Sequence, residues 1–422
     1  MRVLHVIPSL SVKDGGPSVA AKTMAEALAG QAVQVTVATT TGSREQGVTS
    51  KRSRAWSMEQ GARSEEREAG FGLICFRREF EPYKISFGLA RWLRENVGKF
   101  DLVHIHALFS FSSTMAARIA HRNNVPYVVR PLGVLNQWGI RNRRRLPKLV
   151  SLRLIELPIL LNSAAIHFTS EAEREEAALL DARLPKHESV VIPLPVEQGA
   201  RSTEQGAASK EPFFAQFPEA QGKRILLFLS RIDRKKGLEL LIDAFAMVRQ
   251  KNKGVALVIA GEGEESYVRD LRDRARRSLR SGSASGNARP TKEEEDVEEE
   301  EAIIWTGYLG GEIKAAALAA ADVFALPSAS ENFGIAAAES LAAGVPTIVS
   351  EEVALSSDIR QYDAGVVVKR DAQELARTIE DLLSNRGRAA ALATNGRRLA
   401  EERYSPEAVG RALHELYQKI IT

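Results

Sequence analysis

The stretch RILLFLSRIDRKKGLELLIDAFAMVRQKNKGVALVIAGEG, residues 224–263, decides the fold. An apolar run, RILLFLS, is followed by a basic turn, by the helical pattern GLELLIDAFAMVRQ and by a second apolar run, VALVIAGEG. Two strands joined by a helix of this length predict a right-handed βαβ unit of a parallel sheet. The runs AIIWTG, VFALPS, PTIVS and AGVVVK, again with helical patterns between them, extend the same sheet.

The first half of the chain repeats this alternation, with the predicted strands RVLHVI, VQVTVAT, LVHIHA and PYVVRP. The predicted fold class is therefore α/β, in two domains. The seam lies near VVIPLPVE, which gives domains at residues 1–195 and 196–405. The amphipathic helix in residues 406–422 is predicted to pack back on the first domain.

Two segments interrupt the pattern. Residues 43–70 are rich in Arg, Glu, Ser and Gly and are predicted to form a surface loop. Residues 281–301 combine Ser and Gly with a long acidic run that cannot build a core, so we predict a disordered insertion.

Composition narrows the class of protein. A chain of 422 residues suits two domains, and its net charge of +4 gives no indication of a nucleic-acid partner. The single cysteine, Cys75, excludes an internal disulfide and a multi-cysteine metal site, and it fits a reducing compartment. The apolar start, MRVLHVIPSL, is interpreted as a buried strand rather than a signal segment. We therefore predict a cytoplasmic protein.

The stretch PSASENFGIAAAESLAAGVPTIVS, residues 327–350, carries two spaced carboxylates. Glu331 lies in a polar loop, and Glu339 lies just over a turn inside a helix predicted to begin near Gly334. A helix start can bind an anion, while the carboxylates can accept hydrogen bonds from sugar hydroxyls. In isolation this spacing favours the alternative of a helix cap and one exposed glutamate.

Charged residues also follow the strand RILLFLS. Arg231 and Lys236 leave its carboxyl end, where doubly wound sheets bind ligands, and their charges could neutralise a diphosphate. Solvated loop charges are the alternative, favoured in isolation. In the first domain, Gly15 and Gly16 let the backbone approach a ligand closely, although a plain tight turn explains them equally well.

Two further patterns leave alternatives open. His104 and His106 lie on one face of a buried strand, where structural histidines are favoured over a metal site. The sequence has no Asp-x-Asp, so neither a metal nor another cofactor is predicted. The run RNRRRLPK, residues 141–148, is a solvated face by default, and its alternative is a peripheral contact with the anionic inner face of a membrane.

Taken together and in order, these motifs resemble the retaining glycosyltransferases of the GT-B fold, family 4. The set comprises the Gly-Gly turn, the H-x-H strand end, FTSEAE at residues 168–173, S-R-x4-K-G, AGEG, WTGYL and E-x7-E. The resemblance covers the chain except residues 43–70 and 281–301. It implies two Rossmann-like domains facing across a cleft, and transfer of a sugar from a UDP- or GDP-sugar to a saccharide or lipid-linked acceptor. Cell-surface polysaccharide or glycolipid biosynthesis is the implied context.

The resemblance also implies roles for residues. Arg231 and Lys236 would bind the donor diphosphate, Glu331 the transferred sugar and Glu339 the ribose. The other implied donor-binding residues are Gly15, Gly16, Gly261, Gly263, Tyr308, Leu309, Asn332, Phe333 and Gly334.

The chain departs from its relatives at Leu132, where many of them carry a histidine before a glycine. His106 or Arg130 is the expected substitute in the first domain. Two competing functions remain open. One is a nucleotide-sugar epimerase of the same two-domain architecture, which needs no acceptor, and the other is a catalytically silent scaffold that binds partners through its acidic run.

Overall fold

The computed structural model describes residues 1–11, 16–42, 64–68, 70–135, 149–196, 209–281 and 302–422. The chain divides into two compact units. Unit 1 comprises Met1–Pro195 and Tyr404–Thr422, and unit 2 comprises Val196–Arg403. No helix within the described ranges combines the length and the apolar character that crossing a membrane requires.

Unit 1 is built on an eight-stranded sheet of order β3-β4-β2-β1-β5-β6-β7-β8. Every neighbouring pair is parallel except β3 and β4, which are antiparallel. The strands are β1 (Arg2–Ile7), β2 (Gln34–Thr41), β3 (Ser64–Glu68), β4 (Phe71–Arg77), β5 (Leu102–His106), β6 (Tyr127–Arg130), β7 (Ala165–Phe168) and β8 (Ser189–Val191). The α-helices are Gly16–Ala29, Phe87–Asn96, Phe111–Arg122, Leu157–Leu161, Glu171–Ala178 and Pro406–Ile421.

The two faces of this sheet differ in chemistry because strand side chains alternate. One face is apolar: Leu4, Val103 and Ile105 join the core with side chains of the helices Phe87–Asn96 and Phe111–Arg122. On the same strands the intervening residues are His5, His104 and His106, and all three are fully buried. A parallel sheet buried on both faces thus carries histidines in its interior.

The predicted surface loop at residues 43–70 is wrong for its last part. Residues Ser64–Glu68 form the edge strand β3, which pairs with β4. An edge strand is held by backbone hydrogen bonds, so a run such as SEERE gives no apolar alternation by which to find it. The rest of that loop, residues 43–63, and the predicted insertion beyond Ser281 lie outside the described residues.

Unit 2 is built on a six-stranded parallel sheet of order β11-β10-β9-β12-β13-β14. Its strands are β9 (Arg224–Leu229), β10 (Val255–Ala260), β11 (Ile303–Gly307), β12 (Val323–Leu326), β13 (Thr347–Ser350) and β14 (Val366–Val368). Its α-helices are Glu211–Gln216, Leu238–Lys251, Glu265–Ser281, Gly311–Ala320, Ile335–Ala343, Ser356–Tyr362, Ala372–Ser384 and Arg386–Leu399. Each unit thus has the Rossmann-like architecture that the alternating pattern predicts.

The C-terminal helix, Pro406–Ile421, packs within unit 1 on the helix Gly16–Ala29. Ser405 caps it by accepting a hydrogen bond from the Ala408 N–H, and proline begins the helix without losing an internal bond. A Cβ at Gly410 would lie 3.0 Å from the carbonyl oxygen of Ala27, so glycine sets the close spacing of the two helices.

Candidate functional site

The loops after β9 and β10 in unit 2 are packed backbone against backbone. A Cβ at Gly261 would lie 1.8 Å from the carbonyl oxygen of Ser230, and one at Gly263 would lie 2.3 Å from that of Ile232. Only glycine fits such an approach. The two glycines therefore hold the loop that carries Arg231 against the carboxyl edge of the sheet.

Lys236 and Glu331, which lie 95 residues apart in sequence, form an ion pair in unit 2. The side chain of Lys236 is 9% exposed and that of Glu331 is 13% exposed. Lys236 ends a short 3-10 turn, Arg234–Lys236, which the Asp233 carboxylate caps by accepting from the Lys235 N–H. Burial lowers the pKa of Lys236 to about 7, and the charges of Lys235 and Arg231 act in the same direction.

The loop that carries Glu331 is fixed on both sides by backbone bonds. The Glu331 N–H donates to the Glu352 carbonyl at 3.2 Å, and the Ala354 N–H donates to the Glu331 carbonyl at 3.2 Å. Gly334, with φ of 92°, then turns the chain into the helix Ile335–Ala343. The carboxylate consequently has a defined position at the start of a helix.

Glu339, inside that helix, accepts a hydrogen bond from the Lys314 ammonium at 2.7 Å. Lys314 belongs to the helix Gly311–Ala320, and sequence reasoning missed it because a lone lysine 25 residues upstream gives no motif. The pair holds one carboxylate oxygen of Glu339 in place. Just before the helix Gly311–Ala320, Tyr308 is 62% exposed, whereas Leu309 is buried.

The structure therefore brings Lys236 and Glu331 into contact. The charge of Arg231 contributes to lowering the pKa of Lys236. Arg231 itself is exposed, Asn332 is half-buried and Phe333 is buried. A cavity of about 410 Å³ lies at the opposite, amino edge of the sheet, beside Arg224 and Asp322, and it contains none of these residues. The geometry of the carboxyl edge, rather than that cavity, defines the candidate site.

In unit 1, the predicted residues His106 and Arg130 are register partners on adjacent strands, and both are fully buried. Arg130 Nη1 contacts Met24 Sδ at 2.9 Å. Among the described residues, His106 Nδ1 and Arg130 Nε and Nη2 have no hydrogen-bond partner. Burial lowers the pKa of Arg130 to about 10, with the charge of Glu173 acting in the opposite direction.

Glu173, from the FTSEAE motif, holds the turn where Leu132 stands. Its carboxylate accepts from the Gly133 N–H at 2.5 Å and from the N–H and hydroxyl of Thr169, each at 2.8 Å. Leu132 has φ of 62°, in the left-handed region that a branched side chain adopts at a cost. Glu173 therefore stabilises a strained turn at the position of the departure from the family pattern.

Ring nitrogens of His5, His104 and His106 lie within 4.8 Å of one another, a grouping that could hold a metal ion. The charge of Arg130 lowers the pKa of all three rings, so it opposes a second cation there. Metal independence stays a prediction. Gly16 begins the helix Gly16–Ala29, while Gly15 and the basic run 141–148 lie outside the described residues.

Two Rossmann-like units, the second with charged residues at the carboxyl edge of its parallel sheet, are the architecture of the GT-B glycosyltransferases. The family of glycosyl transferases group 1 matches residues 209–399, and the glycosyl transferase 4-like domain matches residues 15–195. The chain belongs to the glycosyltransferases of family 4.

Similar proteins include the alpha-monoglucosyldiacylglycerol synthase of Streptococcus pneumoniae, 29% identical over 46% of this chain and 39% of the relative. The phosphatidyl-myo-inositol mannosyltransferase of Mycobacterium leprae is 26% identical over 82% of this chain and 80% of the relative. The chain thus spans only about two fifths of the first relative but most of the second. Among solved structures, Anabaena HepE in complex with UDP and glucose has a TM-score of 0.69, with 15% identity over 99% of this chain and 100% of that one.

Proposed function

We propose that the chain is a retaining glycosyltransferase that moves a sugar from a UDP- or GDP-sugar to a saccharide or lipid-linked acceptor without a metal ion. The observation that carries this proposal is the buried Lys236–Glu331 pair beside Arg231, at the carboxyl edge of the unit 2 sheet. That edge is where doubly wound sheets bind nucleotides. The solved complex of Anabaena HepE with UDP and glucose supports this class of donor.

The arrangement suits departure of a diphosphate. Arg231 supplies fixed positive charge where negative charge grows as the bond between the anomeric carbon and the phosphate oxygen breaks. Lys236 adds its charge when the bound diphosphate raises its pKa from about 7. Glu331 accepts hydroxyl hydrogen bonds from the transferred sugar, and Glu339, oriented by Lys314, binds the ribose hydroxyls. The acceptor oxygen bonds to the face that the phosphate leaves, and its proton passes to the departing diphosphate.

The acceptor is proposed from the relatives. The Streptococcus and Mycobacterium enzymes are named for a diacylglycerol and a phosphatidyl-myo-inositol, which supports a lipid-linked acceptor. We propose that the chain reaches such an acceptor at the inner face of an anionic membrane. Leu149, Val150 and Leu154 are exposed apolar side chains that follow the basic run 141–148 in sequence, which suits such a contact. Sedimentation with anionic vesicles should weaken at high salt and on neutralising Arg143, Arg144 and Arg145.

A thermal-shift screen against UDP, GDP and ADP and their sugars tests the donor class, since a ligand that binds only the folded protein raises its melting temperature. A rise with UDP or GDP, retained in EDTA, is expected. NMR of the fresh product should show an α linkage from an α-linked donor. A β product contradicts retention, and a requirement for metal contradicts the charge argument alone.

Turnover of the donor distinguishes the proposed transferase from an epimerase and from a catalytically silent scaffold. An epimerase converts UDP-N-acetylglucosamine without any acceptor, whereas the proposed enzyme leaves its sugar configuration unchanged. A scaffold consumes no donor at all. Turnover that depends on an added acceptor supports the transferase and contradicts both competitors.

A further inference from the structure

A continuous chain of hydrogen bonds crosses the interior of unit 1 on the histidine-bearing face of the sheet. We call it the histidine chain. Its links are His167 Nε2 to the Ile192 carbonyl oxygen (2.7 Å), His167 Nδ1 to His104 Nε2 (3.3 Å), His104 Nδ1 to Tyr417 Oη (2.6 Å), Tyr417 Oη to His5 Nε2 (3.2 Å) and His5 Nδ1 to His106 Nε2 (3.1 Å).

The carbonyl at one end fixes the direction of every bond. The Ile192 oxygen can only accept, so His167 must donate from Nε2, and its Nδ1 must accept from His104. By the same rule the Tyr417 hydroxyl donates to His104 Nδ1 and accepts from His5. His5 Nδ1 then accepts from His106 Nε2. In neutral rings, each of which donates from one nitrogen and accepts at the other, these directions place the proton of all four on Nε2.

Neutral rings are what this environment favours. Burial lowers the pKa of His5 and His167 to about 3, and it lowers the pKa of His104 and His106 well below the ordinary value. Neighbouring positive charge acts in the same direction. No ring in the histidine chain therefore needs a second proton.

The free end of the histidine chain is a lone pair. His106 Nδ1 is left as a buried acceptor without a partner among the described residues. Arg130, its register partner on the adjacent strand, has Nε and Nη2 donors that are likewise unpaired among those residues. An unpaired buried acceptor and an unpaired buried donor each cost free energy. One ligand atom that both donates and accepts satisfies the two together.

We propose that His106 and Arg130 form a hydroxyl-binding site in unit 1. The histidine chain holds His106 in the tautomer whose Nδ1 accepts a hydrogen bond from the hydroxyl. A hydroxyl donates to His106 Nδ1 and accepts from the Arg130 guanidinium. An anion would suit Arg130 but would meet the lone pair of His106, and a metal ion would meet the charge of Arg130. The assignment rests on the proposed function, since it names an acceptor hydroxyl as the ligand.

The backbone beside this site is strained in a way that suits an opening loop. Ala107, which follows His106, has φ of 82°, and Leu132, two residues after Arg130, has φ of 62°. Non-glycine residues adopt this conformation rarely, and those that do cluster at functional segments that switch between conformations. Because both side chains are fully buried, a ligand enters when these loops shift.

NMR of the full chain labelled with ¹⁵N-histidine tests both parts of the proposal. We expect His5, His104, His106 and His167 as neutral Nε2–H rings at neutral pH, with an upfield change of the His106 Nδ1 signal on adding myo-inositol. A His106 ring protonated on Nδ1, or positively charged, overturns the histidine chain. No response to myo-inositol overturns the hydroxyl site, a response to inorganic phosphate alone replaces it by an anion site, and stoichiometric uptake of added Zn²⁺ replaces it by a metal site.

Tyr417→Phe tests the histidine chain as a positioning device, and Tyr127→Phe is its matched control. Each variant removes one buried hydroxyl from unit 1, but Tyr127 donates to the Ile159 carbonyl, away from the histidines. We expect Tyr417→Phe to convert His106 into a mixture of tautomers and Tyr127→Phe to leave a single one. An unchanged tautomer in Tyr417→Phe overturns the chain. UDP binding measured by calorimetry reports on unit 2, so failure of the donor proposal is seen separately.

Discussion

Replacing Lys236 by Met separates the structural role of the Lys236–Glu331 pair from its role in binding. Both side chains are nearly buried, at 9% and 13% exposure, so the substitution leaves the Glu331 carboxylate without its partner. Breaking a buried pair on one side costs about 3–5 kcal/mol of unfolding free energy. The double variant Lys236→Met/Glu331→Gln removes the uncompensated charge, and it should recover most of that loss.

Nucleotide binding should respond differently. Loss of a charge-assisted contact with a diphosphate is worth about 1.5–3 kcal/mol, or roughly tenfold to a hundredfold in affinity. The double variant recovers stability but not affinity, because the ammonium that meets the diphosphate is still missing. Urea denaturation followed by circular dichroism gives the free energy of unfolding, and calorimetry with UDP or GDP gives the nucleotide affinity.

Lys251→Met is the control for the loss of a lysine ion pair in the same unit. Lys251 is 69% exposed in its pair with Glu380, and surface pairs contribute about 0–1 kcal/mol. A Lys236→Met variant as stable as the control would refute the buried-pair argument. A double variant that remains as unstable as Lys236→Met would refute the unpaired carboxylate as its cause.

Three further predictions follow from single features of the structure. Gly261→Ala should weaken nucleotide affinity at least tenfold by calorimetry, because its Cβ would lie 1.8 Å from the Ser230 carbonyl oxygen. Gly98→Ala should leave the affinity unchanged, since no atom lies within 4 Å of the added Cβ. Equal affinities of the two variants would contradict the packing argument. The free energy of unfolding should fall below pH 6.5, by up to about 5 kcal/mol between pH 5.5 and 4.5. The cause is that four buried histidines have lowered pKa values in the folded protein and bind protons only when it unfolds. Histidine rings that titrate above pH 5.5 in NMR would contradict this. At pH 8, nucleotide binding should be accompanied by the uptake of as much as one proton, because a diphosphate raises the pKa of Lys236 from about 7. Calorimetric binding heats that do not change with the ionisation enthalpy of the buffer would contradict this proton uptake.

The alternation of strands and helices made most of the fold predictable from the sequence. RILLFLS and VALVIAGEG are strands at Arg224–Leu229 and Val255–Ala260, and the helix after Gly334 begins at Ile335. The edge strand Ser64–Glu68 was missed because it has no apolar side chains and is held through its backbone.

Parts of the site depend on contacts that no local pattern encodes. The sequence places Lys236 and Glu331 after different strands of one parallel sheet, but only the structure shows that they form an ion pair. Lys314 on Glu339 and Tyr417 between His104 and His5 come from helices without any motif. The last link joins residues 412 positions apart, and only the packing of the C-terminal helix creates it.

Release of nucleoside diphosphate from UDP- and GDP-sugars, measured in EDTA with saccharide and lipid acceptors present, tests the central claim most directly. We expect the chain to consume one of these donors in an acceptor-dependent reaction, and Lys236→Met to be slower by about a hundredfold or more, equivalent to about 3 kcal/mol. Donors that remain intact with every acceptor, or a Lys236→Met variant as fast as the native chain, would contradict it.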